Sequence, residues 1–125
     1  MPLKGKTILI VEDEELLREV IVEEFQYAGL KVLESAGGNE ALKLMEERND
    51  IDILFTDIKM PDGNGIELVK NVHLLPESHR PKVFMFTAYG EFPETEMTTY
   101  EVLYKFKKPF VWEEIIQIIK EKGNF

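Results

Sequence analysis

Cysteine is absent from this chain of 125 residues, and histidine occurs only at His73 and His79. These two scarcities exclude a disulfide framework and a thiolate metal site, and they disfavour a histidine-based zinc site. The chain has no apolar run of about 18 residues, which argues against a membrane span. The segment 1–6 lacks the apolar stretch of a signal peptide, which favours a cytoplasmic location. Basic residues are not in excess either: the net charge is −9, which disfavours non-specific binding to nucleic acid by this domain.

The composition is that of an ordinary soluble globular protein, with 44% hydrophobic and 31% charged residues. A length of 125 residues suits one domain, which we expect to span 1–125. Apolar, β-branched runs predict strands at 7–11, 30–33, 53–55, 82–86 and 104–107, and helical spacing predicts helices at 14–28, 40–47, 66–73, 95–103 and 112–122. Since strand and helix alternate five times without a repeat or linker, we predict a parallel sheet with helices on both faces.

The run from Ile53 to Phe55 ends close to a carboxylate, Asp57, and turn residues follow at once: Pro61, Asp62, Gly63 and Gly65. This pattern is typical of a buried strand that ends in a loop. Asp57 is then expected at the carboxyl end of a central strand, where open α/β sheets bind ligands. The alternative is a capping or turn aspartate, which is the commoner role of a lone Asp before a loop.

Polar side chains also follow the other predicted strands: Glu12 and Asp13 after the first, Thr87 after the fourth and Lys108 after the fifth. In a parallel sheet these ends share one edge. Grouped carboxylates suit a hard divalent cation such as Mg²⁺, and a lysine with a hydroxyl suits a phosphoryl group. An aspartate beside a metal can also form an acyl phosphate. Each residue has a simpler reading, however: Asp13 as a helix N-cap, Glu12 as a helix-start acid, Thr87 as a cap and Lys108 as a surface lysine.

Four motifs, in their order and separation, resemble the receiver domain of bacterial two-component response regulators over essentially the whole chain. They are Ile8-Leu-Ile-Val-Glu-Asp-Glu14, Thr56-Asp-Ile-Lys-Met-Pro-Asp-Gly63, Thr87-Ala88 and Lys108-Pro-Phe110. The resemblance implies a flavodoxin-like, doubly wound sheet of strand order 2-1-3-4-5 with five helices, the order of the chemotaxis receiver protein.

The resemblance also implies roles for the residues at the strand ends. Asp57 would accept a phosphoryl group from a histidine kinase, a phosphotransfer protein or a small phosphodonor. Glu12, Asp13, Asp57 and the backbone carbonyl of Lys59 would hold Mg²⁺. Lys108 would pair with the phosphoryl oxygens, and Thr87 would move to hydrogen-bond them. That movement would change the face made by the fourth helix, fifth strand and last helix, to which a downstream effector, an attached output domain or a second copy would bind.

Three features depart from the family pattern. An aromatic residue usually lies three positions before the lysine, but here that position is Lys105, flanked by Tyr104 and Phe106. Either the strand register slips and one of these aromatics serves, or the aromatic half of the relay is missing. Glu101-Val102 replaces the usual small pair, and the stretch 90–99 is unusual. Lys59 is either a solvated loop lysine or a residue that alters phosphoryl lifetime.

Two other functions compete with the phosphoacceptor switch. A degenerate receiver would act as an unphosphorylated interaction scaffold, for which the altered switch region is the argument. An aspartyl-phosphate hydrolase would use Asp57 as its nucleophile, but such enzymes usually carry a second aspartate two residues on, where this chain has Lys59. We therefore expect a switch with at most slow self-catalysis, not an enzyme. The sequence does not distinguish a stand-alone receiver from part of a longer regulator.

Overall fold

The computed structural model describes residues 3–60, 64–87 and 94–125. Within these ranges, five parallel strands form one sheet in the order β2-β1-β3-β4-β5, which confirms the predicted flavodoxin-like fold. The strands are β1 (Thr7–Val11), β2 (Lys31–Ser35), β3 (Ile53–Asp57), β4 (Lys82–Thr87) and β5 (Val102–Lys107). The α-helices are α1 (Glu15–Tyr27), α2 (Gly38–Glu47), α3 (Gly65–Val72), α4 (Glu94–Thr99) and α5 (Trp112–Lys122), and a 3₁₀ turn covers Glu77–His79.

The sheet is buried on both faces because its side chains alternate between two cores. On one face, Leu9, Leu54 and Met85 pack against α2 and α3. On the other face, aromatic rings dominate: Phe55 stacks on Phe86 with ring centroids 4.6 Å apart and meets Phe25 of α1 edge-on at 5.1 Å. No helix in the described part of the chain is long and apolar enough to cross a membrane.

The first two helices differ from their predictions in detail. The residue that caps α1 is Glu14, not Asp13, and no side chain caps that helix end. Not every apolar residue of α1 faces the core: Val20 is 48% exposed, whereas Ile21 and Phe25 are buried. The second helix begins at Gly38, two residues before the predicted start at 40, since the Ser35 hydroxyl closes a tight turn by donating to the Gly37 carbonyl at 2.8 Å.

The predicted helix 95–103 is too long, because Val102 and Leu103 belong to β5. Pairing with β4 ends the helical pattern there: Val83 lies opposite Val102, and Phe84 lies opposite Tyr104. Leu103 is therefore an extra residue, a bulge in the strand. Just before it, Glu101 has a φ of 57°, a left-handed conformation that favours glycine, and this is where the usual small pair was missing.

The bulge at Leu103 answers the question about the switch aromatic. Lys105 lies opposite Met85, on the face of the sheet that α4 covers. Tyr104 and Phe106 lie on the other face, with ring centroids 4.8 Å apart, and Phe106 is buried against Phe55. The register does slip, at Leu103, but after the slip both aromatics lie on the face opposite α4, so neither takes the place of the switch aromatic. A lysine therefore stands where the family usually has its aromatic residue.

Candidate functional site

The carboxyl ends of β1, β3, β4 and β5 lie along one edge of the sheet. Backbone hydrogen bonds between neighbouring chain segments continue just beyond the ends of these strands. Val11 lies opposite Thr56, and Asp57 lies opposite Phe86. The Ile58 amide donates to the Phe86 carbonyl at 3.2 Å, and the Lys108 amide donates to the Thr87 carbonyl at 3.1 Å. Residues from four separate parts of the chain are thus held side by side at this edge.

Glu12, Asp13 and Asp57 form a cluster in which one carboxylate oxygen of each residue lies within 4.8 Å of the others. Glu12 is 1% exposed, Asp57 is partly buried and Asp13 is exposed. Three like charges at this separation repel each other strongly away from bulk water. The cluster therefore favours a proton or a cation between the carboxylates.

The side chain of Glu12 has two different oxygens. Oε2 accepts a hydrogen bond from the Glu14 amide at 3.0 Å. Oε1 is buried, and no N–H or O–H group of the described residues donates to it. Burial, opposed by the Glu14 hydrogen bond and aided by Asp57 and Asp13, raises the pKa of Glu12 to about 8. An undonated buried oxygen in a carboxylate cluster fits the oxygen-ligand chemistry of Mg²⁺.

Asp57 ends β3, and opposing effects act on its carboxyl group. Burial is the largest of them and leaves the pKa of Asp57 raised, although its hydrogen bond with Glu12, those from the Lys59 and Ile58 amides, and the charge of Lys108 oppose this shift. The Lys59 amide lies 3.3 Å from Asp57 Oδ1. Lys108 thus acts electrostatically on Asp57, while the side chain of Lys59 is exposed.

Thr87 ends β4 and is 2% exposed, so its side chain is enclosed at the same sheet edge. Pro61, Asp62, Gly63 and Ala88 lie outside the described residues, as does the part of the unusual stretch 90–99 that precedes α4. The structure thus brings together the three predicted acids and the charge of Lys108. Their individual roles stay predictions.

The sequence pattern did not reveal that Gly65 is important for the position of Asp57, because it identified Gly65 only as a turn residue. Its amide donates to the Ile58 carbonyl at 2.9 Å, which folds the loop after β3 back onto the strand end. A Cβ at this position would lie 2.0 Å from the Asp57 carbonyl oxygen. Only glycine permits this close approach of α3 to Asp57.

The raised pKa of Glu12 predicts that the metal-free protein loses stability as pH rises from 4.5 towards 8. In the unfolded chain Glu12 ionises near its ordinary value of 4.5, whereas the folded protein keeps the proton up to about 8. Unfolding in this window therefore releases a proton, and rising pH favours the unfolded state. Glu12→Gln lacks this titration, so its stability is expected to fall less.

Urea unfolding in the presence of a chelator, across a pH series, measures the effect as the difference between wild type and Glu12→Gln. The free-energy difference between the two proteins is expected to change steadily through this window in favour of the variant. Parallel stability curves for the two proteins would contradict the protonated state of Glu12.

Comparison with known proteins agrees with the geometry of the site. The family model described as "Response regulator receiver domain" matches residues 8–120. The chain is 34% identical over 119 residues to sporulation initiation phosphotransferase F of Bacillus subtilis, covering 94% of this chain and 93% of that protein. It is 42% identical over 65 residues to the response regulator SaeR of Staphylococcus aureus, where the match covers 52% of this chain and only 28% of SaeR.

Solved structures show the same fold. The receiver domain of a Pseudomonas aeruginosa sensor histidine kinase, which has a magnesium ion coordinated in its active site cleft, superposes with a TM-score of 0.84 at 22% identity. That match covers 97% of this chain and 99% of the Pseudomonas domain. The strand order, the acidic cluster at the strand ends and the family match agree, and the chain belongs to the response regulator receiver domain family of two-component systems.

Proposed function

We propose that Asp57 is the phosphoacceptor of this receiver and that the chain acts as a phosphorylation switch. The observation that carries this proposal is the position of Asp57 between two other carboxylates and the charge of Lys108. An ionised Asp57 oxygen attacks the phosphorus atom of the donor. The new bond is an acyl phosphate, and the bond from phosphorus to the donor's imidazole nitrogen, or to a small donor's leaving oxygen, breaks.

Glu12, Asp13, Asp57 and the Lys59 carbonyl are the proposed holders of Mg²⁺, which when bound supplies charge neutralisation for the phosphoryl oxygens. The undonated Oε1 of Glu12 supports this assignment. The Pseudomonas receiver domain, which has the same fold, has a magnesium ion coordinated in its active site cleft, and this agrees with the assignment. Lys108 pairs with the phosphoryl oxygens and stabilises the charge that Asp57 acquires on phosphorylation.

Thr87 is the proposed second contact to the phosphoryl group, and its hydroxyl would donate to a phosphoryl oxygen. Because Thr87 ends β4 beside β5, its movement changes the face made by α4, β5 and α5. Position 105 on that face is a lysine. The change that phosphorylation causes at this face therefore differs from the movement of an aromatic ring that is usual in the family. We propose a downstream protein, an attached output domain or a second phosphorylated copy as the partner of this face.

The remaining parts of the proposal concern the whole chain. It is one receiver domain over 1–125, works in the cytoplasm with a sensor histidine kinase or phosphotransfer protein, and binds neither nucleic acid nor membrane itself. It is a switch and not a turnover enzyme, because Lys59 stands two residues after Asp57, where hydrolases usually have a general acid. Its self-catalysis is limited to taking up the phosphoryl group and slowly hydrolysing it.

The test is the intact mass of the protein after incubation with acetyl phosphate and Mg²⁺. We expect one adduct of about 80 Da that is lost on standing and that does not form when a chelator replaces Mg²⁺. Folded protein that gains no mass, and that shows no binding of beryllofluoride either, would overturn the phosphoacceptor role. The chain would then be an unphosphorylated scaffold.

A further inference from the structure

Arg18 joins three elements beside the acidic cluster, although it is not part of that cluster. It lies in α1, and its guanidinium Nη1 donates to the backbone carbonyl of Glu12 at 2.8 Å. Its Nε donates to Oε1 of Glu34 in β2 at 2.9 Å. The Arg18 side chain is 17% exposed, so most of it is enclosed between α1 and the strand ends.

The backbone of Glu12 is therefore held from both sides. Its amide donates to the Ser35 carbonyl at 3.1 Å, and its carbonyl accepts from Arg18. This carbonyl belongs to the peptide that links Glu12 to Asp13, the two acids that the chain places beside Asp57. A rotation of this peptide would turn both carboxylates at once, because they are its immediate neighbours.

We propose that Arg18 is a positioning residue for the metal-binding acids: it fixes the Glu12–Asp13 peptide so that both carboxylates face Asp57. This inference rests on the metal-binding part of the proposed function. The planar guanidinium can donate in two directions from one rigid group, to Glu12 and to Glu34. A lysine ammonium has the charge but not the fixed fork, so it cannot reproduce both contacts with the same geometry.

The electrostatic and the geometric contributions of Arg18 to Mg²⁺ binding have opposite signs. A cation beside the cluster opposes Mg²⁺ binding, so its removal in Arg18→Met, which leaves Glu34 as an anion, would by itself tighten the metal. Weaker binding in that variant therefore reports lost geometry. We expect the loss of the contact to the Glu12 carbonyl to dominate, because outer contacts that orient metal ligands typically change metal affinity by about 10- to 100-fold.

Isothermal titration of Mg²⁺ into the full chain tests the proposal with Arg18→Lys, Arg18→Met and a control, Arg48→Met. Arg48 is also an ion-paired arginine, with hydrogen bonds of 2.8 and 2.7 Å to Asp50, but it follows α2 at the opposite edge of the sheet. We expect both Arg18 variants to bind Mg²⁺ about 10-fold more weakly than wild type. Arg48→Met is expected to bind Mg²⁺ as wild type does.

A second measurement reports the position of Glu12 without metal. The Glu14 amide donates to Glu12 Oε2, so its NMR chemical shift follows the placement of that carboxylate. We expect this resonance to move in both Arg18 variants in the presence of a chelator and to stay in place in Arg48→Met. Because this readout needs neither Mg²⁺ nor phosphate, it decides the placement of Glu12 even if wild type bound no metal and the proposed function failed.

Three results would overturn the inference. Wild-type Mg²⁺ affinity in both Arg18 variants would show that the contact does not position the acids. Weak binding in Arg18→Met alone, with Arg18→Lys like wild type, would show that the two-directional donation of the guanidinium is not what positions the acids. A lower unfolding temperature with an unmoved Glu14 resonance would assign Arg18 to stability only. Phosphorylation of wild type is a separate measurement, so its failure would not be confused with any of these.

Discussion

Asp57→Asn is expected to take up no phosphoryl group from acetyl phosphate and Mg²⁺, whereas wild type gains one. The amide keeps the size and shape of the side chain but is not a nucleophile, so no acyl phosphate can form. Intact mass gives the answer directly, as the presence or absence of an adduct of about 80 Da.

The matched control is Asp50→Asn, the same substitution at an exposed residue that pairs with Arg48. This control is expected to gain the adduct like wild type. Asp57→Asn also removes one of three clustered carboxylates, so it should unfold at the same urea concentration as wild type or a higher one, which excludes misfolding as the cause. An adduct of full intensity on Asp57→Asn would move the acceptor to another residue, and peptide mapping would identify it.

Gly65→Ala is expected to have the second large effect, because its new methyl group would meet backbone rather than a movable side chain. The Cβ would lie 2.0 Å from the Asp57 carbonyl oxygen and 3.1 Å from the Ile58 Cα. The loop after β3 must then shift, which should cost about 1–3 kcal/mol of unfolding free energy. The shift also displaces Asp57, so the rate of phosphoryl uptake should fall markedly.

Gly5→Ala is the control that separates the loss of stability from the slower phosphoryl uptake. Gly5 has a φ of 83°, so alanine is strained there by roughly 1–2 kcal/mol, yet no atom lies within 4 Å of its Cβ position. Both variants should lose stability in urea unfolding, but only Gly65→Ala should slow phosphorylation by acetyl phosphate. Wild-type uptake by a destabilised Gly65→Ala would show that the contact supports the fold without placing Asp57.

Regular local patterns predicted much of the fold. The strand 7–11 and the helix 112–122 have the same ends in the structure as in the sequence prediction. The strand is a continuous apolar, β-branched run and the helix has apolar residues at regular helical spacing, and both segments have clear boundaries. Long-range strand pairing determined the remaining boundaries. The segment 95–103 has weak helical propensity, and pairing with β4 places Val102 and Leu103 in β5. The bulge that puts Lys105 on the α4 face depends on the same pairing and leaves no local signal.

The sequence by itself determined the fold class and the sheet edge at which the polar residues lie. Alternation of strand and helix leads to a parallel sheet, and in such a sheet all residues that follow strands share one edge. Only the tertiary structure decided how these residues are buried and positioned at that edge. The burial of Glu12, the clearance at Gly65 and the Arg18 contacts to Glu12 and Glu34 are properties of distances between chain segments. Such distances depend on how the segments pack, and spacing along the chain does not encode them.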